Sequence, residues 1–116
     1  MKFICYPKCT TCKKANDWLI NNLQKFIVRD IKQDNPSAEE IKEWHKKSGL
    51  PLKKFFNTSG LKYKELGLSK KILSMSDDEQ IELLAQDGML VKRPILVAAD
   101  WVLVGFKEKE WSETIL

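Results

Sequence analysis

The residues best suited to chemistry in this chain are two cysteines, Cys9 and Cys12, which are separated by Thr10 and Thr11. They follow a short apolar run that closes at Pro7, and they precede a segment with helical periodicity. A cysteine at a helix start meets unpaired backbone N–H groups and the positive end of the helix dipole, which favour a thiolate. Because the thiolate is the nucleophile in disulfide exchange, the spacing predicts that Cys9 is the attacking thiol.

Cys12 lies one helical turn after Cys9, within reach of the same site. We therefore expect Cys12 to resolve a mixed disulfide on Cys9 by forming a Cys9–Cys12 bond. Lys8, Lys13 and Lys14 add positive potential beside the pair. The pattern predicts thiol redox chemistry.

Two other interpretations of the pair remain open. Cys9 and Cys12 could be small apolar core residues, or they could supply half of a zinc site. The other zinc ligands would have to be Cys5 and His45, the third cysteine and the single histidine. Cys5 is expected in the core and His45 on the surface, so neither is assigned a role and the redox interpretation is preferred.

Arg93-Pro94 is the second candidate site, at the start of a β-prone run. A proline that opens a strand often fixes a special turn, and a cis peptide is one option. If the chain has the order βαβ, helical insertion, ββα, this loop faces the cysteine loop. Arg93 would then be directed at a thiolate or an oxyanion. The alternative is an exposed arginine before a structural proline.

The first third of the chain has the pattern of a βαβ unit. Residues 2–6 predict a buried strand, and a helix is expected from Thr10 or Thr11. A second strand is expected around residues 26–31, which gives parallel pairing through a right-handed crossover. The apolar stripe expected along the helix consists of Ala15, Trp18, Leu19 and Leu23.

Two capping boxes mark helix starts in the middle of the chain, at Ser37–Glu40 and Ser76–Glu79. The first predicts a helix that runs to about Lys47 and stops near Gly49, and the second a helix with Gly88 at its C-terminal cap. Residues 52–68 predict two short helical pieces.

The last quarter predicts an antiparallel hairpin from residues 93–97 and 101–104, followed by a helix over 107–115. The whole order is βαβ, a helical insertion at approximately 37–87, then ββα. It predicts a single domain over residues 1–116, an α/β fold with a mixed four-stranded sheet. This order resembles that of thioredoxin-like proteins.

Composition excludes several classes of protein. Of 116 residues, 43% are hydrophobic and 31% charged, which is a globular balance rather than that of a disordered chain. The longest apolar stretches, such as Ile95–Ala99, are far shorter than the roughly 20 residues of a membrane span, so no membrane association is expected. The N-terminus lacks a signal-peptide pattern, and three cysteines are too few for a secreted disulfide framework. We expect a cytoplasmic protein.

The net charge of +4 is modest, but residues 42–71 contain nine lysines and only two glutamates. A solvated lysine surface is the favoured interpretation, and a docking surface for an acidic partner or nucleic acid is the alternative. Direct nucleic-acid binding is not expected.

Taken together, the motifs resemble the family that groups glutaredoxin-linked arsenate reductases with Spx- and MgsR-type regulators. The similarity covers nearly the whole chain. Its carriers are the segments Tyr6–Ala15, Tyr63–Leu68, Asp87–Ile95 and Val104–Phe106.

The resemblance implies a thioredoxin fold with a helical insertion, the reactive cysteine at Cys9 and the anion-facing arginine at Arg93. Two further arginines of the reductases fall here on Asn57 and near Gly105-Phe106, and Cys12 is a second cysteine that those enzymes tend to lack. Thiol-dependent reduction of another oxidised or anionic substrate is therefore expected rather than arsenate reduction. No metal or organic cofactor is implied beyond an external thiol partner such as glutaredoxin, glutathione or thioredoxin.

The regulator branch supplies the alternative function. Its members use a Cys-x-x-Cys pair as a redox switch, carry an arginine before proline, and bind the C-terminal domain of the RNA polymerase α subunit. The glycine that they use at the polymerase contact is replaced here by Pro51.

Overall fold

A mixed four-stranded sheet forms the centre of the computed structural model, which describes residues 1–116. Its strand order is β2-β1-β3-β4; β1 and β2 are parallel, and β3 runs antiparallel to both β1 and β4. The α/β, thioredoxin-like architecture predicted from the sequence is confirmed. The strands are β1 (Lys2–Cys5), β2 (Ile27–Asp30), β3 (Ile95–Val97) and β4 (Val102–Val104).

Strand β1 divides its side chains between the two faces of this sheet. Ile4 packs among the residues of the helical insertion, whereas Phe3 and Cys5 face the opposite side, because successive side chains of a strand alternate. Ile4 pairs with Ile95 across the antiparallel ladder, so the same register continued past the strand end brings residue 93 opposite residue 6. The pairing of β1 with β3 therefore places residues 6 and 93 opposite each other, just beyond the last residue of β1.

Helix α1 (Thr10–Asn21) connects β1 to β2 and packs on the Cys5 face. Ala15, Trp18 and Leu19 are buried as expected, but the prediction was wrong for Leu23, which is 89% exposed. The helix has ended before it: Leu23 has φ 57° and its N–H donates to the carbonyl of Ile20. The chain reverses there toward β2, which turns the side chain outward.

Four α-helices make up the insertion between β2 and β3, joined by 3₁₀ turns at residues 52–55, 72–74 and 88–90. The sequence predicted two short helical pieces within residues 52–68, and the structure has a 3₁₀ turn and one short helix there. Another helix begins at Leu68. The longest helix of the whole chain has 12 residues, and none is long and apolar enough to cross a bilayer. The insertion helices are α2 (Ala38–Ser48), α3 (Leu61–Glu65), α4 (Leu68–Lys71) and α5 (Asp77–Gln86).

Both predicted capping boxes are present. The side chain of Ser37 accepts from the N–H of Glu40, whose carboxylate accepts in return from the Ser37 N–H. Ser76 and Glu79 repeat this arrangement at the start of α5. Helix α2 ends as expected, at Gly49 in the left-handed conformation with φ 68°.

Gly88 does not cap α5, so that prediction was wrong. The C-cap is Asp87, and Gly88 opens the following 3₁₀ turn. A Cβ atom at residue 88 would lie 1.9 Å from the carbonyl oxygen of Ile31. Glycine is required here because the backbone passes so close to the end of β2.

Two apolar cores lie on the two faces of the sheet. The insertion face buries a cluster of sixteen residues, and the α1 face a cluster of eight. The C-terminal helix α6 (Glu108–Ile115) closes the smaller cluster with Trp111, which packs edge-on against Trp18 at 5.9 Å between ring centroids. The Trp111 indole N–H donates to the Gly105 carbonyl at 3.1 Å, so this buried polar group is satisfied.

Arg29 of β2 ties the insertion to the sheet. Its Nη2 lies 2.9 Å from Oε1 of Glu40, and its Nη1 binds the other carboxylate oxygen. The hydrogen bond from Arg29 is the main cause that lowers the pKa of Glu40 to about 2. Glu40 therefore serves both the ion pair and the α2 capping box.

The lysines of residues 42–71 lie on the surface. Eight of the nine are exposed, and Lys47 is half-buried in an ion pair with Glu43 at 2.9 Å. Both interpretations of this segment, a solvated surface and a docking surface, require such exposure.

Candidate thiol redox site

Cys9 is the N-cap of α1, as the sequence predicted for the attacking thiol. Its backbone is extended, with φ −90° and ψ 125°, and its N–H donates to the Tyr6 carbonyl at 2.9 Å. Its carbonyl accepts from the Lys13 N–H, while its side chain makes no capping hydrogen bond. The half-buried thiol is therefore accessible at the positive end of the helix.

Cys12 is buried in the first turn of the same helix, at 3% exposure. Its Sγ accepts a hydrogen bond from the Tyr6 N–H at 3.3 Å, and its thiol interacts with those of Cys5 and Cys9. The hydrogen bond to Cys5, followed by burial, raises the pKa of Cys12 above its ordinary value, and the Tyr6 N–H opposes this only in part. Cys12 is therefore a thiol at neutral pH.

Cys5 is the site residue that the sequence analysis missed. It was expected in the core, and it is buried at 6% exposure, but it also shares a core cluster and a cavity with Cys12. Its interaction with the Cys12 thiol lowers the pKa of Cys5, against the opposing effects of burial and of Asp30. Alternation along β1 carried the signal, because Cys5 shares the face of Phe3, on which α1 packs.

The zinc alternative required Cys5 and His45 to join the pair. His45 lies instead on α2, which packs on the other face of the sheet, and its ring is edge-on to Phe55 at 5.9 Å. No group of three or more His, Cys, Asp or Glu side chains is arranged to hold a metal ion.

Arg93 precedes a cis proline, the option that the sequence left open. Its guanidinium carbon lies 5.2 Å from the centroid of the Tyr6 ring, and Nη1 donates to the Met89 carbonyl at 3.4 Å. The side chain is half-buried and has no carboxylate partner. Its positive charge is therefore available to an anion.

The guanidinium opens onto a cavity of about 430 Å³ between the insertion and the β3 loop. Asn57 lines this cavity at a position where the resemblance implied a second arginine. Lys62 and Asp87 also line it, and they pair with each other at 3.8 Å. Arg93 is thus the one cation lining the cavity that has no carboxylate partner.

Tyr6 joins the three predicted site residues. Its N–H holds the sulfur of Cys12, its carbonyl holds the N–H of Cys9, and its ring lies under Arg93. The structure thus places the two cysteines at the start of one helix and connects Arg93 to them through one aromatic residue.

Comparison with known proteins gives consistent matches over nearly the full length. The ArsC family model matches residues 5–114. Uncharacterized protein YusI of Bacillus subtilis is 52% identical over 113 residues, which cover 97% of this chain and 96% of YusI. Regulatory protein MgsR of the same organism is 30% identical, with 95% of this chain and 86% of MgsR covered.

A solved structure supports the same conclusion. The crystal structure of an ArsC family related protein from Bacteroides fragilis superposes with a TM-score of 0.95 and is 55% identical. The match covers 97% of this chain and 94% of that protein. With its fold, its helix-start cysteine and its arginine before a cis proline, this chain belongs to the ArsC family.

Proposed function

We propose that this chain is a thiol–disulfide redox protein in which Cys9 attacks an oxidised substrate and Cys12 resolves the product. The proposal rests on the difference in solvent exposure between these two cysteines. Cys9 is half-exposed at a helix start, whereas Cys12 is buried in the first turn of the same helix. One thiol can meet a substrate and the other can act only after the first has reacted.

The proposed cycle begins when the Cys9 thiolate attacks one sulfur of a substrate disulfide. The S–S bond breaks, the other substrate sulfur leaves as a thiolate, and Cys9 forms a mixed disulfide. Cys12 then gives its proton to solvent or to the leaving thiolate and attacks the Cys9 sulfur. The substrate leaves as two thiols, and the two electrons that reduce it come from the thiols of Cys9 and Cys12, which are oxidised to the Cys9–Cys12 disulfide.

The environment of Cys12 sets the order of these steps. The raised pKa of Cys12 keeps its proton in place before substrate arrives, so Cys12 does not compete as the first nucleophile. Once Cys9 is in a mixed disulfide, the Tyr6 N–H is already placed to stabilise negative charge on the Cys12 sulfur. An external thiol donor, such as glutathione, glutaredoxin or thioredoxin, then reduces the pair.

Arg93 favours substrates with negative charge near the reacting sulfur. A single free guanidinium, with Asn57 beside it, offers an oxyanion one bidentate contact rather than a clamp of several arginines. We therefore propose an anionic disulfide or oxidised thiol, rather than arsenate, as substrate. The cytoplasm, where thiol donors are abundant, is the proposed compartment.

Oxidised glutathione is a suitable probe because it is an anionic disulfide. In a Cys12→Ser variant we expect a stable glutathione adduct on Cys9, identified by peptide mass spectrometry. The wild-type protein should instead release glutathione and form an intramolecular disulfide, and a Cys9→Ser variant should take up none. An adduct confined to Cys5 in the Cys12→Ser variant would contradict the assignment of the nucleophile.

A second candidate function is that of a redox-sensing transcription regulator that binds the C-terminal domain of the RNA polymerase α subunit. Its specific support is the 30% identity to regulatory protein MgsR. A pull-down with that polymerase domain, using reduced and oxidised protein, separates the two functions. Binding in neither state would dismiss the regulator, and binding in one state only would identify the cysteine pair as a switch.

A further inference from the structure

The three cysteines of this chain form one cluster with Cys12 in the middle. Cys5 and Cys12 belong to the same buried core, and Cys9 packs against it. The thiols of Cys5 and Cys9 both shift the pKa of Cys12, that of Cys5 upward and that of Cys9 downward. The sulfur of Cys12 therefore has one thiol neighbour toward the surface and another toward the sheet.

We propose that Cys5 is a second disulfide partner of Cys12, so that an oxidised Cys9–Cys12 pair is converted into a Cys5–Cys12 pair. The Cys5 thiolate attacks the Cys12 sulfur, the bond between Cys12 and Cys9 breaks, and Cys9 leaves as a thiolate. The proton of Cys5 passes to Cys9 or to solvent. The exchange needs no further oxidant, because one disulfide replaces another.

The inference rests on the proposed function for its first step, the formation of the Cys9–Cys12 disulfide. Thiol–disulfide exchange requires an attacking sulfur beside the disulfide, and Cys5 shares both the core and the cavity of Cys12. In the Cys9–Cys12 disulfide, Cys5 is the remaining thiol and shares the buried core of Cys12. Its position therefore makes Cys5 the inner nucleophile.

Space for the exchange exists beside the two inner sulfurs. Cys5 and Cys12 both line a cavity of about 240 Å³ that is also bordered by Phe3, Pro7 and Val28. Cys9 is not among the residues that line it. Cys5 and Cys12 therefore border the same space, and Cys9 does not.

The exchange changes what the oxidised protein can do. A Cys9–Cys12 disulfide leaves the chain without a reactive surface thiol, whereas a Cys5–Cys12 disulfide restores one at Cys9. The inner disulfide is also shielded from an external thiol, since both sulfurs are less than a tenth exposed. The protein would then keep the Cys5–Cys12 disulfide in its core while Cys9 forms a mixed disulfide with a second substrate.

Mass-spectrometric disulfide mapping tests this directly. The reduced full-length protein is oxidised with oxidised glutathione, quenched in acid, alkylated with N-ethylmaleimide, and digested with pepsin at low pH so that disulfides do not exchange. We expect Cys5–Cys12 linked peptides, with Cys9 carrying N-ethylmaleimide or glutathione. The oxidised native protein should also retain one rapidly alkylated thiol, which is Cys9.

A Cys5→Ala variant is the matched control, since alanine keeps a small apolar group in the core. After oxidation it should show Cys9–Cys12 alone and no rapidly alkylated thiol, with an unchanged far-ultraviolet circular dichroism spectrum as the test of folding. The wild-type map decides the question even if this variant does not fold. Cys9–Cys12 as the sole disulfide of the wild type would overturn the inference and leave the proposed function standing. The absence of any glutathione adduct or intramolecular disulfide would overturn both.

Discussion

The two faces of the central sheet share the same strands but carry different chemistry. On the α1 face, β1 contributes Phe3 and Cys5, and the helix adds Cys12 from its first turn. On the insertion face, β1 contributes Ile4 to a larger core that contains no cysteine. All three sulfurs therefore depend on one strand and one helix that are neighbours in sequence, and none depends on the insertion.

The cavity beside Arg93, in contrast, depends on the insertion. Arg93 comes from the loop before β3, but Asn57 and Lys62 come from the insertion. The comparison indicates that thiol reactivity is a local property of the βα unit, whereas the recognition of an anion is built jointly by the sheet and the insertion. Changes on each side should then have separate effects.

The largest expected effect is the loss of the attacking thiol. Cys9→Ser should reduce the rate of reaction with oxidised glutathione by at least roughly 10³-fold, because a hydroxyl does not replace a thiolate as nucleophile. The rate can be followed by the release of glutathione. Thr11→Ser, an exposed conservative change in the first turn of α1, is the control and should keep the wild-type rate. A rate in Cys9→Ser within tenfold of the wild type would place the chemistry on another thiol.

Glu40→Gln should affect the insertion face without affecting the sulfurs. We expect the free energy of unfolding at pH 7 to fall by about 1–2 kcal/mol, since the charge-assisted bond with Arg29 is lost. The pKa of Glu40 is about 2 in the folded state and about 4.3 when unfolded, so this contribution is complete above the unfolded value. The difference between variant and wild type should shrink as the pH falls from about 5 toward 2.

Urea denaturation at several pH values measures this difference. Glu43→Gln, which breaks an exposed ion pair with Lys47, should cost less than about 0.5 kcal/mol and serves as the control. The separation of the two faces requires that Glu40→Gln react with oxidised glutathione at the wild-type rate. A slower reaction would show that the insertion does influence the thiols.

Asn57→Arg should sharpen the anion site. A second guanidinium in the Arg93 cavity is expected to raise the affinity for arsenate or sulfate about tenfold, the effect of roughly 1.4 kcal/mol from one charge-assisted contact. Isothermal titration calorimetry can compare it with Thr58→Arg, which adds the same charge at an exposed neighbour. Equal gains in both variants would mean that net charge, rather than the cavity, binds the anion.

Arg93→Ala should give the smallest effect, and a selective one. The ratio of Cys9 alkylation rates with iodoacetate and iodoacetamide should fall about threefold, since only the anionic reagent is attracted by the guanidinium. Lys92→Ala removes the same charge from an exposed neighbour and is the control. If both reagents slowed equally in Arg93→Ala, the arginine would support the loop rather than attract the anion.

Local patterns predicted most of the fold correctly because local interactions determine those elements. Ser37 and Ser76 mark helix starts through hydrogen bonds made within four residues, and the structure has both. Leu23 and Gly88 were misplaced for different reasons. The helical pattern was extended past the end of α1, and the turn at Leu23 exposes its side chain. A Cβ atom at residue 88 would clash with the carbonyl oxygen of Ile31, which lies 57 positions earlier in the chain.

The candidate site shows the same limit. Cys9 and Cys12 could be predicted from their spacing, because both lie in one helical turn. The contact between Arg93 and the Tyr6 ring depends on the register of β1 and β3, whereas the predicted element order placed only the two loops opposite each other. Cys5 was assigned to the core correctly, but a hydrophobic pattern does not distinguish a cysteine that fills space from one that lies against another thiol.

The position of Tyr6 has a consequence for protein design. Its backbone holds both cysteines of the pair, and its ring supports the arginine across the sheet edge. Transplanting the Cys-x-x-Cys segment alone onto another scaffold would leave its inner sulfur without the amide that orients it. A working graft has to include this preceding residue and the strand that anchors it.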